Sequence, residues 1–90
     1  MNFEWDERKA DSNKSKHGVA FNEATTIFGD PLALTFVDTA NSEGEMRFLT
    51  FGRSSNGKYL VVSHTDRNDK IRVISARAMT KKERYDYEHL

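Results

Sequence analysis

The chain has 90 residues, 14 of them basic and 14 acidic, and no cysteine. That length suits a single domain, 1–90, with a modest core, and the lack of thiols excludes disulfides, thiolate zinc sites and cysteine nucleophiles. No apolar run approaches a membrane span and the start, MNFEWDERK, is no signal peptide, so the expected setting is cytoplasmic, away from any membrane.

The charges cancel overall but not locally. Met1–Asp30 holds four basic and six acidic residues, whereas Lys70–Arg84 holds six basic residues and one acid, Glu83. Neutrality argues against coating nucleic acid and still allows a local basic groove.

Asn2–Trp5 reads as a short edge strand. Asp6 is a suitable N-cap for a helix over Glu7–Lys16 that His17-Gly18 ends. This helix is unusual, because Ala10 is nearly its only apolar residue. Lys9, Asn13, Lys16 and His17 would share one of its faces. Val19–Phe28 then reads as a conventional amphipathic helix, with Phe21, Ala24, Ile27 and Phe28 as its core stripe and Gly29-Asp30-Pro31 as its stop.

Strand signals follow at Leu32–Asp38, Met46–Arg53, Tyr59–Thr65 and Ile71–Ala78. The last carries Ile71 and Val73 on one face and Ile74 and Ala76 on the other. Ser54-Ser55-Asn56-Gly57 and Asp66-Arg67-Asn68-Asp69 are tight turns, and connections that short require antiparallel neighbours. Thr80-Lys81-Lys82-Glu83 is a capping box that opens a terminal helix. The order predicts an α+β fold: a meander of about four antiparallel strands, two helices before it and one after, the helices packed on one face.

Little in the chain points to a metal or a cofactor. His17, His64 and His89 lack ligand spacing, and no phosphate-binding glycine loop or G-x-S-x-G context is present, so neither is expected. What remains is a polar set near the sheet: Arg47, His64, Arg67, Arg72, Arg77, Tyr85 and Tyr87. RNA cleavage by 2′-hydroxyl attack needs a base, an acid for the leaving oxygen, and cations on the phosphorane. Imidazole titrates near neutrality, which makes His64 the candidate for proton transfer. Arg72 and Arg77 suit the phosphate, with Arg47 assisting. Tyr85 and Tyr87 suit stacking on splayed bases, and Tyr87 also proton transfer. Each has a plainer reading: a strand histidine is more often structural, Arg72 can pair with Asp66 or Asp69, and Arg77 with Glu83 or Glu88.

Three stretches, in order, carry a resemblance to a known family. Phe3–Pro31 has an F-x-W-D start, Lys-x-x-x-Asn-x-x-Lys-His-Gly-Val spacing, Phe-x-Glu-Ala and a Phe-x-Asp-Pro stop. Gly57–Arg77 has H-T-x-R-x-D followed by I-R-x-I-S-A-R, and Thr80–Glu88 has T-x-x-E-R-x-x-Y-E. Together these resemble the BrnT family of type II toxin–antitoxin ribonucleases. Two positions depart from its pattern: Ala20 where a polar capping residue is usual, and Asn68 where glycine is usual.

The resemblance implies a RelE-like fold and an RNA-cutting toxin that inhibits translation. It also implies neutralisation by a BrnA-type ribbon-helix-helix antitoxin in a two-plus-two complex, with operator DNA contacted only through that partner. Lys16 and His17 are candidates to bind RNA or the antitoxin, Arg67 likewise, and Phe3 and Trp5 are candidates for the antitoxin interface. The alternative is a non-catalytic module on the same scaffold that only binds RNA or protein. A direct DNA-binding repressor is disfavoured, since no recognition-helix pattern is present.

Overall fold

A computed structural model of the chain describes residues 1–90. Its elements are β1 (Asn2–Glu4), α1 (Glu7–His17), α2 (Phe21–Ala24) running into a 3₁₀ segment at Thr25–Gly29, β2 (Leu34–Val37), β3 (Phe48–Arg53), β4 (Tyr59–Arg67), β5 (Lys70–Ala78) and α3 (Lys81–Glu88). A further 3₁₀ turn spans Thr39–Asn41.

The fold is α+β, but the sheet differs from the expected four-stranded antiparallel meander. It has five strands in the order β1-β5-β4-β3-β2 and is mixed, because β1 pairs in parallel with β5, Phe3 facing Ile71 and Glu4 facing Arg72. The edge strand expected near the N-terminus is present. Its partner was not readable, since a parallel neighbour is joined through a long connection, here most of the chain.

The other three pairings are antiparallel. Between β4 and β5 the turn narrows to Asn68 and Asp69, both left-handed at φ 52° and 62°. A two-residue primed hairpin turn demands this, and Asn and Asp tolerate it.

The expected second helix is also shorter. Only Phe21–Ala24 is α-helical. Thr25, Thr26 and Ile27 are β-branched in succession, which disfavours the α-form. The hydroxyls of Thr25 and Thr26 donate back to the carbonyls of Asn22 and Glu23, at 2.9 and 2.6 Å, tightening the chain into 3₁₀ geometry. The apolar stripe survives: Phe21, Ala24 and Ile27 are buried beside Val19, Leu60, Val62, Val73 and Ala76, with Phe3, Trp5, Ala10 and Phe28 packed around them. The 3₁₀ segment sits so close to β3 that a Cβ on Gly52 would lie 3.0 Å from that of Ile27.

Val73 and Ala76 both enter this core although they are three residues apart. The register explains it: His64 faces Val73 and Ser63 faces Ser75, so Ile74 is an unpaired bulge that returns later residues to the same face. The strict alternation expected for Ile71–Ala78 therefore fails at Ile74.

α1 is as polar as its sequence suggests, and one side chain accounts for its docking. Asn13 is only 5% exposed. Its Nδ2 donates to the Val19 carbonyl and its Oδ1 accepts the Ala76 N–H, both at 2.9 Å. Beyond Arg72 the outer edge of β5 has no strand beside it, so its backbone needs partners from elsewhere. Asp6 caps α1 by accepting from the N–H groups of Arg8 and Lys9, and left-handed Gly18 ends it.

α1 and α2 cover one face of the sheet, whereas α3 lies over the other, against Leu34, Phe36 and Phe51. The helices thus do not share one face. The expected capping box forms: Thr80 Oγ1 accepts the Glu83 N–H at 3.1 Å, and Glu83 Oε1 accepts the Thr80 N–H at 2.9 Å. α3 has no buried residue. Polar ties hold it: Arg77 to Glu83, Tyr59 to Glu88, and Tyr87 to Asp30.

Candidate functional site

Two of the arginines singled out in the sequence, Arg72 and Arg77, share a sheet face, and Arg53, which was not singled out, lies on it with them. Arg72 stands opposite Thr65, Arg77 opposite Val61, and Arg53 opposite Tyr59. These odd-numbered positions of β4 lie on the α3 side of the pleat. Arg47 immediately precedes β3 and has no ion-pair partner.

The other arginines chosen from sequence are engaged. Arg72 lies 3.5 Å from Glu4, and Arg67 donates from Nη2 to both oxygens of Glu45 at 3.2 Å. Arg77 grips Glu83 through two parallel bonds of 2.7 and 2.9 Å. Those bonds hold the Glu83 carboxyl down to about 2 and raise the Arg77 guanidinium above its ordinary value. Arg77 therefore buckles the first turn of α3 to β5, the plainer of its two sequence readings.

His64 does not join them. It faces the opposite side of the sheet, in the core, 4% exposed. Its Nε2 shares a 2.7 Å hydrogen bond with Thr50 Oγ1, which is itself 2.8 Å from Thr35 Oγ1. Phe28 meets the ring edge-on and Phe48 stacks on it. Nδ1 is buried without a partner. Burial pushes the imidazole below its usual 6.5, against a weaker upward pull from Asp66. His64, the residue expected to perform proton transfer, is thus placed on the sheet face away from the arginines, because alternation along β4 sends it there.

Tyr87 is half-buried and its hydroxyl donates to Asp30 Oδ2. Burial, then the Asp30 carboxylate, pushes the phenol up to about 12. The same Asp30 accepts the N–H groups of Leu32 and Arg53; these bonds and the Tyr87 hydroxyl outweigh burial and lower its carboxyl. Tyr85 lies on the exposed side of α3, stacked at 4.0 Å on His89. Lys16 and His17 are exposed at the end of α1.

The most basic concavity lies where three distant segments meet. The end of α1 at His17, the β3–β4 hairpin at Arg53, Lys58 and Tyr59, and Arg84 of α3 enclose a cleft of about 590 Å³ that no carboxylate lines. Tyr59 is its organiser: the Arg84 guanidinium sits 4.0 Å from the ring centroid and that of Arg53 5.4 Å, in the cation–π range. Lys58 and Arg84 each have a carboxylate at 3.5 Å, Glu23 and Glu88, behind the lining, and Arg53 has none. Preorganised cations without a facing acid can hold a phosphodiester and offset charge that develops on it. Of the residues chosen from sequence, this cleft takes in only His17.

Arg53, Lys58 and Tyr59 were missed. The available signal was R-S-S-N-G-K-Y, cations and an aromatic on both sides of a hairpin turn, which places them together at one sheet end. No three His, Asp or Glu side chains are grouped as metal ligands, and no helix is long and apolar enough to cross a membrane.

Residues 5–83 match the family model described as ribonuclease toxin, BrnT, of type II toxin-antitoxin system. The chain belongs to the BrnT family. Membership makes it a ribonuclease toxin of a type II system by family, with an antitoxin as its implied partner. A 1.1 Å crystal structure of the Brucella abortus ribonuclease toxin BrnT resembles it with a TM-score of 0.69 and 23% identity, over 90% of this chain and 99% of that one. At that identity the likeness is one of fold. No curated protein matches the chain in sequence. Within the BrnT-like N-terminal signature, Asn13 and Val19 are a structural clip and Gly18 a helix stop, while His17 is left facing the cleft.

Proposed function

We propose that the chain is a RelE-like endoribonuclease that cuts RNA by attack of a 2′-hydroxyl on the adjacent phosphate. The O2′–P bond forms as the P–O5′ bond breaks, leaving a 2′,3′-cyclic phosphate and a 5′-hydroxyl. The 2′-hydroxyl proton goes to a base, and the departing oxygen takes one from an acid. The acid-free cleft around Tyr59 carries this reading. Arg53, Arg84 and Lys58 neutralise the phosphorane, and His17, the imidazole in the cleft, moves the proton. Arg77 positions α3, and through it Arg84, rather than touching RNA. Arg72, on the α3 face of the sheet, and Arg47, just before β3, extend the basic track for flanking nucleotides.

In the cell this activity inhibits translation in the cytoplasm until a BrnA-type ribbon-helix-helix antitoxin binds, two toxins to two antitoxins, with operator DNA reached through that partner. The free edge of β2, which exposes Phe36 and Val37, supports a protein partner, since bare apolar strand edges invite pairing. The competing reading, a non-catalytic binding module, draws on the burial of His64 and the pairing of Arg77. Purified chain incubated with single-stranded RNA in EDTA separates the two. We expect cyclic-phosphate products, lost in Arg53→Ala and Arg84→Ala. Binding without products would favour the module, and cutting at wild-type rates by both variants would remove the cleft from the mechanism.

A further inference from the structure

Tyr59 and Arg53 stand between two clefts. On the side away from His17 lies a second cavity, of about 600 Å³, between α3 and the segment after Asp30. Pro31, Leu32, Leu34 and Tyr87 give it apolar and aromatic walls. Among its polar groups are two carboxylates, Asp30 and Glu88. It is the chemical inverse of the basic cleft, and Arg53 lines both. A nucleotide has the same two halves: an anionic phosphate and a flat base with polar edges.

We propose that this second cavity holds the base beside the scissile phosphate and selects guanine, with Glu88 as the specificity-determining residue. The proposal rests on the RNA-cutting reading of the neighbouring cleft.

Of the two carboxylates, Asp30 is committed, accepting from Leu32 N–H and Arg53 N–H at 2.9 and 2.8 Å and from the Tyr87 hydroxyl. Glu88 is loosely held. Tyr59 donates to it at 3.3 Å, Arg84 is 3.5 Å away, and its side chain is 40% exposed. A carboxylate has about four acceptor positions on two oxygens, so Glu88 keeps capacity for incoming donors.

Guanine offers two parallel donors on its Watson–Crick edge, N1–H and the N2 amino group, matching both oxygens of one carboxylate. Adenine and cytosine each offer one amino group there and uracil one imino N–H, so each leaves an oxygen unmatched. Unstacked bases in RNA recognition are read on this edge while their faces pack on aromatic and apolar side chains, a role open to Tyr87, Leu32 and Leu34.

Two measurements test this. First, cut sites of the purified chain are mapped by end sequencing on an RNA pool with all dinucleotide steps equally represented. We expect guanine on one fixed side of the cut, enriched about tenfold, as a bidentate contact can provide. Glu88→Gln should flatten that preference while cutting continues, and Glu88→Asp should retain part of it. Cutting without base preference, or an unchanged preference in Glu88→Gln, overturns the proposal.

Second, guanosine and adenosine 3′-monophosphates are titrated into the chain and followed by NMR shifts at Leu32, Tyr59 and Tyr87. Guanosine should bind about tenfold tighter, with the difference lost in Glu88→Gln. Equal affinities overturn the proposal. Because binding needs no catalysis, an inactive chain that still prefers guanosine would overturn the ribonuclease reading and keep only guanine selection by Glu88, with no scissile phosphate beside it.

Discussion

Asn13, expected on a polar helix face, and His64, expected to transfer a proton, are both buried. Asn13 satisfies the Val19 carbonyl and the Ala76 N–H. Asn13→Ala leaves both without a partner, at a cost of roughly 1–3 kcal/mol per buried group. Chemical denaturation should therefore show a loss of about 2–6 kcal/mol. An unchanged midpoint with reduced RNA cleavage would instead make Asn13 a ligand contact. The two readings were not separable in the sequence, because a helix face with Lys9, Asn13, Lys16 and His17 looks uniformly polar until the bare edge of β5 lies against it.

His64 gives a pH signature. Its folded-state pKa lies below the ordinary 6.5, so the unfolded chain binds the proton more readily. Its contribution to stability is complete above about 6.5, and is lost as pH falls through that value toward the lower folded-state one. Urea midpoints should drop between pH 7.5 and pH 5, and less so in His64→Gln, which keeps a partner for Thr50 and does not titrate. Equal slopes in the two proteins would mean that another group governs this window.

At the level of elements, α3 has no buried residue, and its position is set by polar ties. The Arg77–Glu83 pair is the main one. Glu83 is held down to about 2 from 4.5, so this tie is present above pH 4.5 and weakens as pH falls toward 2, a window below that of His64. Arg77→Ala should raise amide exchange along Lys81–Glu88 and, by freeing Arg84, lower cleavage together with it. Full protection of α3 in an inactive Arg77→Ala variant would show that this guanidinium acts on RNA directly. The capping box and the strand run were legible because their signals are local: a Thr with a Glu three residues on, β-branched runs, Asn-Gly. The Ile74 bulge and the parallel seat of β1 were not, since each depends on a neighbour distant in sequence; the 3₁₀ segment has a local signal, the β-branched run Thr25–Ile27, which the apolar stripe of a full helix outweighed.

Across the whole molecule, the same distinction decides how much of the site was visible. His17, Arg53, Lys58, Tyr59 and Arg84 come from three separate segments, so no motif spells the cleft. The basic run Lys70–Arg84 drew attention toward Arg72 and Arg77, whose charges are largely met by Glu4 and Glu83. With 14 basic and 14 acidic residues, the protein has no bulk field to attract RNA. Any salt dependence of binding must come from local cations that meet the phosphates, which makes it a direct count of them. Single-stranded nucleic acid gives a slope of log K against log salt of about −0.7 per phosphate neutralised. Arg53, Lys58 and Arg84 acting together predict a slope of about −2 at pH 8, where imidazole is ordinarily neutral. Arg53→Ala should reduce its magnitude by about 0.7, and Arg72→Ala by less, because Arg72 does not line the cleft. A slope near zero, or one that responds to Arg72 but not to Arg53, would place the RNA on the sheet face beyond α3 and not beside Tyr59.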